Sequence, residues 1–376
     1  MEPGVVWLTV TFGLHIALVT LGVGISLIAP AMRLIARRRG DDTLLEEAYR
    51  LVRFYAATYA LGGVFGTAFT VYLFSYYPEF TALLGRIALY NYALAITALV
   101  AHFLSLTIFY YGWNRLPPRT VDAAGLALAG SVLLIVLGFR GVFSQLSSPV
   151  AIDLQGARVL DPLHAVLGNP LLPPLYAKSI LAALAATMVG AAGWHALRGE
   201  PSLARLYLKP ALAALAGVFI AGLWYGLSLR SVEYKFNNIF GGLGLGGEPS
   251  LDLSWLLILK IALWTLQTAG VLYALRAGVT RARSLLAAGA ASALVAVVAG
   301  EYLNAYSQYP YFIPPTELGG ASPELQAKLS LLAANANTRS QVLQLLTISA
   351  TGVLLAAALL YLYISFLRGR EQTRQT

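Results

Sequence analysis

The chain has 376 residues, of which 58% are hydrophobic and 11% are charged, and its formal net charge is +9. Soluble globular domains carry roughly 25% charged residues, so this composition excludes an ordinary soluble domain and indicates an integral membrane protein. The sequence contains no cysteine, which excludes disulfides, thiolate metal sites and haem attachment through a Cys-x-x-Cys-His motif. Basic loops beside a membrane explain the positive charge better than nucleic-acid binding does.

Apolar stretches long enough to cross a bilayer follow one another along almost the whole chain. A crossing helix needs about 20 apolar residues, and these stretches are too long and too continuous for the roughly ten-residue strands of a membrane barrel. The sequence therefore predicts an all-α integral membrane protein with nine transmembrane helices. The predicted spans are 5–32, 54–77, 87–112, 122–143, 173–197, 207–229, 253–275, 284–304 and 342–367.

The connections between the spans alternate between two kinds. One kind is short and basic, and the other is longer and rich in Gly, Pro and Tyr. The basic side carries 17 Lys and Arg against 8 on the other side, whereas Asp and Glu number 7 against 10. By the positive-inside rule, the sequence predicts a multi-pass plasma-membrane protein with its N-terminus outside and its C-terminus in the cytoplasm.

Short connections on the basic side make sequence neighbours antiparallel neighbours in space. We therefore expect two four-helix bundles and one peripheral helix. Residues 1–145 are predicted to form the first bundle, and 146–304 an outer loop followed by the second bundle. Residues 305–341 are predicted to form an outer segment, and 342–376 the ninth helix with a cytoplasmic tail.

Two of the four histidines lie inside predicted spans. His15 lies about 15 Å below the outer membrane edge and His102 about 22 Å below it, counting about 1.5 Å per residue. A neutral imidazole at either depth could ligate haem iron, although the difference in depth is awkward for two ligands on one iron. The alternative is that both are hydrogen-bonded packing residues, and His102 could also relay protons. His164 and His195 lie in or beside loops and are predicted to be surface residues.

Charged residues inside the spans are candidates for a buried site, because such residues usually face the bundle interior and find partners. We expect Lys260 and Glu301 to form a buried charge pair, the alternative being that each reaches the outer water separately. Lys178 lies only about six residues deep, and we expect its amine to reach that water. Arg140 could bind a haem propionate or a lipid phosphate, or reach the membrane surface.

Three stretches in the first 118 residues carry a resemblance to a known family. They are TFGLHIALVTLGVGISLIAPAMRLIARRRGDD, RFYAATYALGGVFGTAFTVYLF and ALVAHFLSLTIFYYGWNRLPP, with weaker similarity at 136–150 and 300–311. These stretches resemble the oxidase-type subunit I of cytochrome bd quinol oxidases, as do the number of spans and the outward N-terminus. The resemblance implies a subunit of a membrane quinol:oxygen oxidoreductase complex.

The resemblance also implies where the family's haem ligands would lie. His15 falls at the first-span haem ligand, and the two glutamates of the third span fall at Leu94 and His102. The histidine of the low-spin haem falls near Lys178, and its methionine falls near Lys260.

Two further departures from the family pattern lie late in the chain. A glutamate and an arginine of the family's Gly-Arg-Gln-Pro-Trp region become Ala305 and Gln308, and the long quinol-binding loop shrinks to 230–252. This pattern is similar to the degenerate second copy of subunit I in archaeal bd-type oxidases. It implies a non-catalytic or haem-poor chain whose partner is a homologous subunit I that carries the haems and the quinol.

Two alternatives remain at this point. The first is a haem b-binding electron-transfer or catalytic subunit of the same complex, with His15, and also His102, holding the haem. The second is a secondary transporter, although transporters usually show Gly- or Pro-broken spans at matching places in two halves and the spans here are largely unbroken.

Overall fold

The computed structural model describes residues 3–156, 158–319, 322, 323 and 326. Within this part of the chain nearly all regular structure is helical, with one small antiparallel sheet. The helices are α1 (Pro3–Arg39), α2 (Asp42–Tyr76), α3 (Pro78–Ile87), α4 (Leu89–Tyr111), α5 (Pro118–Ser147), α6 (Pro162–Leu167), α7 (Leu172–Arg198), α8 (Pro201–Ser228), α9 (Glu233–Phe240), α10 (Ser254–Ala277) and α11 (Arg283–Tyr306). The strands are β1 (Ile152–Asp153) and β2 (Arg158–Val159), and 3₁₀ turns lie at Leu229–Ser231, Gly241–Leu243 and Pro315–Glu317.

Eight of these helices are long and apolar enough to cross a membrane, namely α1, α2, α4, α5, α7, α8, α10 and α11. The predicted all-helical membrane class is therefore confirmed, and eight of the predicted spans coincide with these helices. The ninth predicted span, 342–367, lies outside the described residues, as does most of the predicted outer segment 305–341.

The helices α1 and α2 extend well beyond their apolar cores into the basic connection. The chain reverses at Gly40, whose φ of +63° favours glycine. The next residue, Asp41, caps α2 by accepting a hydrogen bond of 2.9 Å from the backbone N–H of Leu44. This tight turn keeps α1 and α2 packed along their length.

The basic connections lie together at one end of the molecule, which we call the basic end. There, Arg33 and Arg37 of α1 both contact Asp122 of α5. Arg283 of α11 donates to the carbonyl of Leu197 at the end of α7, at 2.6 Å. We call the other end, which holds α3, α6, α9 and the sheet, the opposite end.

The largest apolar core lies in the half of the molecule near the basic end. It takes buried side chains from all eight long helices, for example Ile25 of α1, Phe109 of α4 and Val189 of α7. Nearer the opposite end the buried apolar residues divide into separate clusters. Charged and polar side chains lie between those clusters, so the fold places its unusual chemistry in this half.

The helix α1 packs against α2 and α5 and also against α7 and α11. It lies close to α7 at Gly24, where an added Cβ would clash with Thr187 Oγ1 and would lie 2.5 Å from the carbonyl oxygen of Ala183. Small residues allow helices in membranes to approach this closely.

We predict that Gly24→Ala destabilises the protein by about 1–3 kcal/mol, because the added methyl would overlap the backbone carbonyl of Ala183 as well as the side chain of Thr187. The measurement is the melting temperature of the purified protein in detergent. Gly63→Ala is the matched control, since Gly63 is exposed in the middle of α2 with open space around it. Equal melting temperatures for the two variants would contradict this account of the α1–α7 contact.

Candidate functional site

Four charged residues from four different helices line one small cavity, which we call the charged chamber. They are Arg140 of α5, Lys178 of α7, Lys260 of α10 and Glu301 of α11, and the cavity has a volume of about 70 Å³. Each helix has one terminus at the opposite end of the molecule, and its charged residue lies five to seven positions from that terminus. This separation corresponds to about 8–10 Å at the rise of an α-helix. The four groups therefore meet at one depth.

The ion pair of the chamber joins Arg140 to Glu301. Arg140 Nη1 donates to Glu301 Oε2 at 2.6 Å, and Nη2 donates to Oε1 at 2.8 Å. Both side chains are nearly buried, at 13% and 10% exposure. This is the two-pronged geometry in which a planar guanidinium matches both oxygens of a carboxylate.

The hydrogen-bonded partner of Glu301 is thus Arg140, whereas Lys260, which is expected to pair with Glu301, interacts with that carboxylate electrostatically. The carboxylate bonds to Arg140, because a guanidinium can satisfy both oxygens at once whereas an ammonium acts as a point charge. Lys260 lies beside this pair, with its Nζ packed over Gly300, where an added Cβ would be 3.3 Å away. It contributes charge to the chamber without replacing Arg140.

Lys178 is buried at 8% exposure, which contradicts the expectation that it reaches water. Its Nζ lies 4.7 Å from the ring centroid of Tyr225, over the ring face. The Tyr225 hydroxyl donates to Asn304 Oδ1 at 2.6 Å. The aromatic face attracts the amine electrostatically, so Lys178 turns toward the chamber rather than toward the membrane surface.

The chamber does not fit a haem. The resemblance places the two ligands of the low-spin haem near Lys178 and Lys260, and both lysines line the cavity. Small-molecule pockets enclose roughly 300–1,000 Å³, several times the volume present here, which is enough for a few water molecules.

His15 packs against α2. Its Nδ1 lies 2.9 Å from the carbonyl oxygen of Gly62, and its Cε1 would lie 2.7 Å from a Cβ added at Gly66. A histidine that donates one ring nitrogen to a backbone carbonyl keeps the other nitrogen available for a metal. The geometry therefore leaves Nε2 of His15 as its possible ligand atom.

His102 is fully enclosed, at 1% exposure. Its Nε2 lies 2.5 Å from Tyr55 Oη, and its Nδ1 lies 3.0 Å from Ser131 Oγ. Both nitrogens are engaged, which is the arrangement of a packed polar residue. His15 and His102 also contact α2 at Gly62 and Tyr55, seven residues apart, or about 10 Å, so the structure does not bring them to one iron.

His195 was predicted to be a surface residue, and this prediction is wrong. The ring is 4% exposed and lies between two carboxylates, with Nε2 2.8 Å from Glu47 Oε1 and Nδ1 2.6 Å from Glu200 Oε2. Tyr207 also donates to Glu47 Oε1 at 2.6 Å. The α7–α8 turn folds back over the ring, and the hydrogen bond from His195 lowers the pKa of the Glu200 carboxyl. His164, by contrast, is exposed on α6.

Lys235 is a buried lysine whose burial is not predicted from the sequence, because 230–252 is expected to be a shortened loop. The side chain is 1% exposed, and its Nζ donates to Ser147 Oγ at 2.9 Å, to the Asn304 carbonyl at 2.9 Å and to Gln308 Oε1 at 3.3 Å. All of these acceptors are neutral. A signal was present, because the buried residues of α9 fall at the helical spacing of Lys235, Asn238 and Ile239.

The fold and the charged chamber define a class of protein: a multi-span helical membrane protein that buries polar groups between its helices. A family model for the cytochrome bd terminal oxidase subunit I matches residues 6–232. The chain belongs to this family and is thus a multi-pass protein of the plasma membrane. The family resemblance predicted from the first 118 residues is confirmed.

Two known proteins are similar to this chain. The putative cytochrome bd menaquinol oxidase subunit I of Bacillus subtilis (strain 168) is 26% identical over 184 residues, which cover 48% of this chain and only 40% of that relative. The solved structure of the bd oxidase from Geobacillus thermodenitrificans matches with a TM-score of 0.77 at 19% identity, over 97% of this chain and 98% of the other. The second match shows that the two chains share a fold.

Burial lowers the pKa of Lys235 from 10.5 to about 7. Between these values the unfolded chain binds a proton that the folded chain has lost, so stability rises with pH across this window. We predict that wild-type protein gains stability from about pH 7 to pH 10, by up to about 1.4 kcal/mol per pH unit, relative to Lys235→Met. The measurement is the melting temperature against pH.

Lys209→Met is the matched control, because Lys209 is an exposed lysine of α8 at the basic end. It should leave the pH dependence of the melting temperature unchanged. Parallel curves for wild type and Lys235→Met across this range would contradict the lowered pKa of Lys235.

Proposed function

We propose that this chain is the haem-poor, non-catalytic subunit of a bd-type quinol:oxygen oxidoreductase complex. The observation that carries the proposal is the charged chamber. Lys178 and Lys260 stand near the positions where the resemblance places the low-spin haem ligands, and they line a cavity of about 70 Å³ together with the Arg140–Glu301 ion pair. A porphyrin needs both ligands and space, and the chamber offers it neither.

The other positions implied by the resemblance support the same proposal. Leu94 and Ala305 carry no ligand atom where the family has glutamates. His102 stands at the second glutamate of the third span, and both of its ring nitrogens are engaged. Gln308, at the family's arginine, accepts a hydrogen bond from Lys235 of α9. Helix α9 and its flanking 3₁₀ turns fill most of the segment that corresponds to the quinol-binding loop.

The proposed partner is a homologous, haem-bearing subunit I, which would hold the haems and bind the quinol. The family is one of oxidase subunits, and a chain without these ligands needs such a partner to take part in electron transfer. This chain would contribute a protein interface and surfaces for membrane lipid. Helix faces rich in exposed apolar residues, such as that of α8 with Phe219, Ile220 and Leu223, suit either role.

A second candidate is a chain that holds one haem b through His15, and one observation favours it. The hydrogen bond between His15 Nδ1 and the Gly62 carbonyl leaves Nε2 available as an axial ligand. The family match gives the transporter interpretation no such support.

Haem counting separates the two candidates. We predict that the complex purified through a tag on this chain contains the same number of haem equivalents in the wild type and in His15→Ala, as measured by the pyridine haemochrome spectrum. His164→Ala is the matched control, since His164 is an exposed histidine. The loss of one haem equivalent in His15→Ala alone would establish the second candidate and contradict the first. Mass spectrometry of the same sample should identify a homologous subunit I.

We also propose that the basic end faces the cytoplasm, with the bundle boundaries near 145 and 304, because the basic residues gather at that end. The chain has no cysteine, so single cysteines can report the orientation. We predict that Glu248→Cys reacts with a membrane-impermeant maleimide in intact cells, and that Arg205→Cys reacts only after permeabilisation. Both positions are exposed, at opposite ends of the molecule. The reverse pattern would contradict the orientation.

A further inference from the structure

The charged chamber contains more positive than negative charge. Arg140 and Glu301 neutralise each other, because both carboxylate oxygens accept from the guanidinium. Lys178 and Lys260 face the same cavity, and Glu301 is the only acid among the residues described as lining it. With all four groups ionised, the chamber carries an excess of two positive charges.

The surrounding elements do not supply the missing negative charge. On α8, the hydroxyl of Tyr225 donates to Asn304, and only its neutral ring faces Lys178. On α9, Lys235 is close enough to interact electrostatically with Glu301, and it adds another basic group. The remaining polar residues that line the cavity, Thr20, Ser179, Trp264 and Gln267, are uncharged.

An uncompensated charge in such a place is expensive. A buried ion needs a partner or coordination to remain charged, and charged groups inside a membrane protein almost always pair. The chamber lies about 8–10 Å below the helix ends, so it is removed from the bulk water that would screen two neighbouring ammonium groups.

The volume of the chamber restricts what can supply the charge. A cavity of about 70 Å³ accommodates a monatomic anion with a few water molecules, since one water molecule needs about 10–15 Å³ of cavity volume measured in this way. A sugar acid or a quinol is too large. Lysine ammonium groups act as compact point charges without a preferred plane, which suits a spherical anion.

We propose that the charged chamber binds a small inorganic anion such as chloride beside the amines of Lys178 and Lys260, which line the same cavity. The inference rests on the proposed function, because it requires a chamber without haem. The anion restores most of the charge balance, and the Arg140–Glu301 pair forms the wall beside it. The competing explanation is that one lysine loses its proton and the chamber holds water alone.

The first test uses bromide as an anomalous scatterer. Crystals of the purified complex are grown in bromide in place of chloride, and an anomalous difference peak is expected within hydrogen-bonding reach of both Lys178 Nζ and Lys260 Nζ. Bromide peaks found only at the protein surface would overturn the proposal, because they would represent adventitious ions only. The wild-type complex is sufficient, so the outcome does not depend on the folding of a variant.

The second test measures stabilisation by chloride, since a ligand that binds only the folded state raises its stability with concentration. The melting temperature of the wild-type complex is expected to rise saturably when chloride replaces gluconate at constant ionic strength. In Lys178→Met, and in the more conservative Lys178→Gln, the half-saturating concentration should rise by at least about tenfold, which corresponds to about 1.4 kcal/mol. Lys209→Met, at the exposed lysine of α8, should behave as the wild type.

The outcomes separate this inference from the proposed function. Equal melting temperatures in chloride and gluconate, with no bromide peak and no haem in the chamber, would overturn the anion site and leave the haem-poor assignment intact. A haem with ligands in the chamber would overturn both. A bromide peak beside the two lysines, together with a chloride response that Lys178→Met weakens, would support both.

Discussion

The ion pair between Arg140 and Glu301 determines the arrangement of the site. It joins α5 to α11 through two hydrogen bonds of 2.6 and 2.8 Å, and it uses the only carboxylate among the residues described around the chamber. Because that carboxylate is fully used, the two neighbouring lysines must be accommodated in some other way. The excess of positive charge in the chamber therefore comes from Lys178 and Lys260, for which no second carboxylate is described.

The fold explains why four charges from distant parts of the sequence meet. The helices that carry them end at the same level, and each charged residue lies five to seven positions from that end. A continuous apolar core fills the half near the basic end, so polar groups gather in the other half, where the apolar residues divide into separate clusters. The four charges meet because they lie at the same depth along helices that pack together, and no local sequence motif encodes the site.

The eight described spans and the family were predictable from the sequence, because hydropathy over twenty residues and the stretches around His15 and His102 are strong local signals. The residues that each buried charge contacts were not predictable. Several cationic side chains could have paired with Glu301, and its pairing with Arg140 depends on how α5 lies beside α11.

The sequence around His195 resembles the edge of a loop, which predicts exposure. The fold of the α7–α8 turn instead buries His195 between Glu47 and Glu200. Lys235 was missed because helix α9 is short.

Buried ion pairs contribute little net stability compared with apolar packing, but breaking one leaves an uncompensated charge and is strongly destabilising. Two clusters of this kind connect the first four long helices to the last four: Glu47 of α2 with His195 of α7 near the basic end, and Arg140 of α5 with Glu301 of α11 near the other. A haem held between helices fixes their relative positions through its ligands. Under the proposed function, these two clusters would fix the relative positions of the helices in place of a haem. Each cluster forms its hydrogen bonds only when the helices that carry its residues are correctly arranged. Loss of a porphyrin from such a scaffold would then preserve the fold, since the charged side chains that fill the space also specify how the two sets of helices meet.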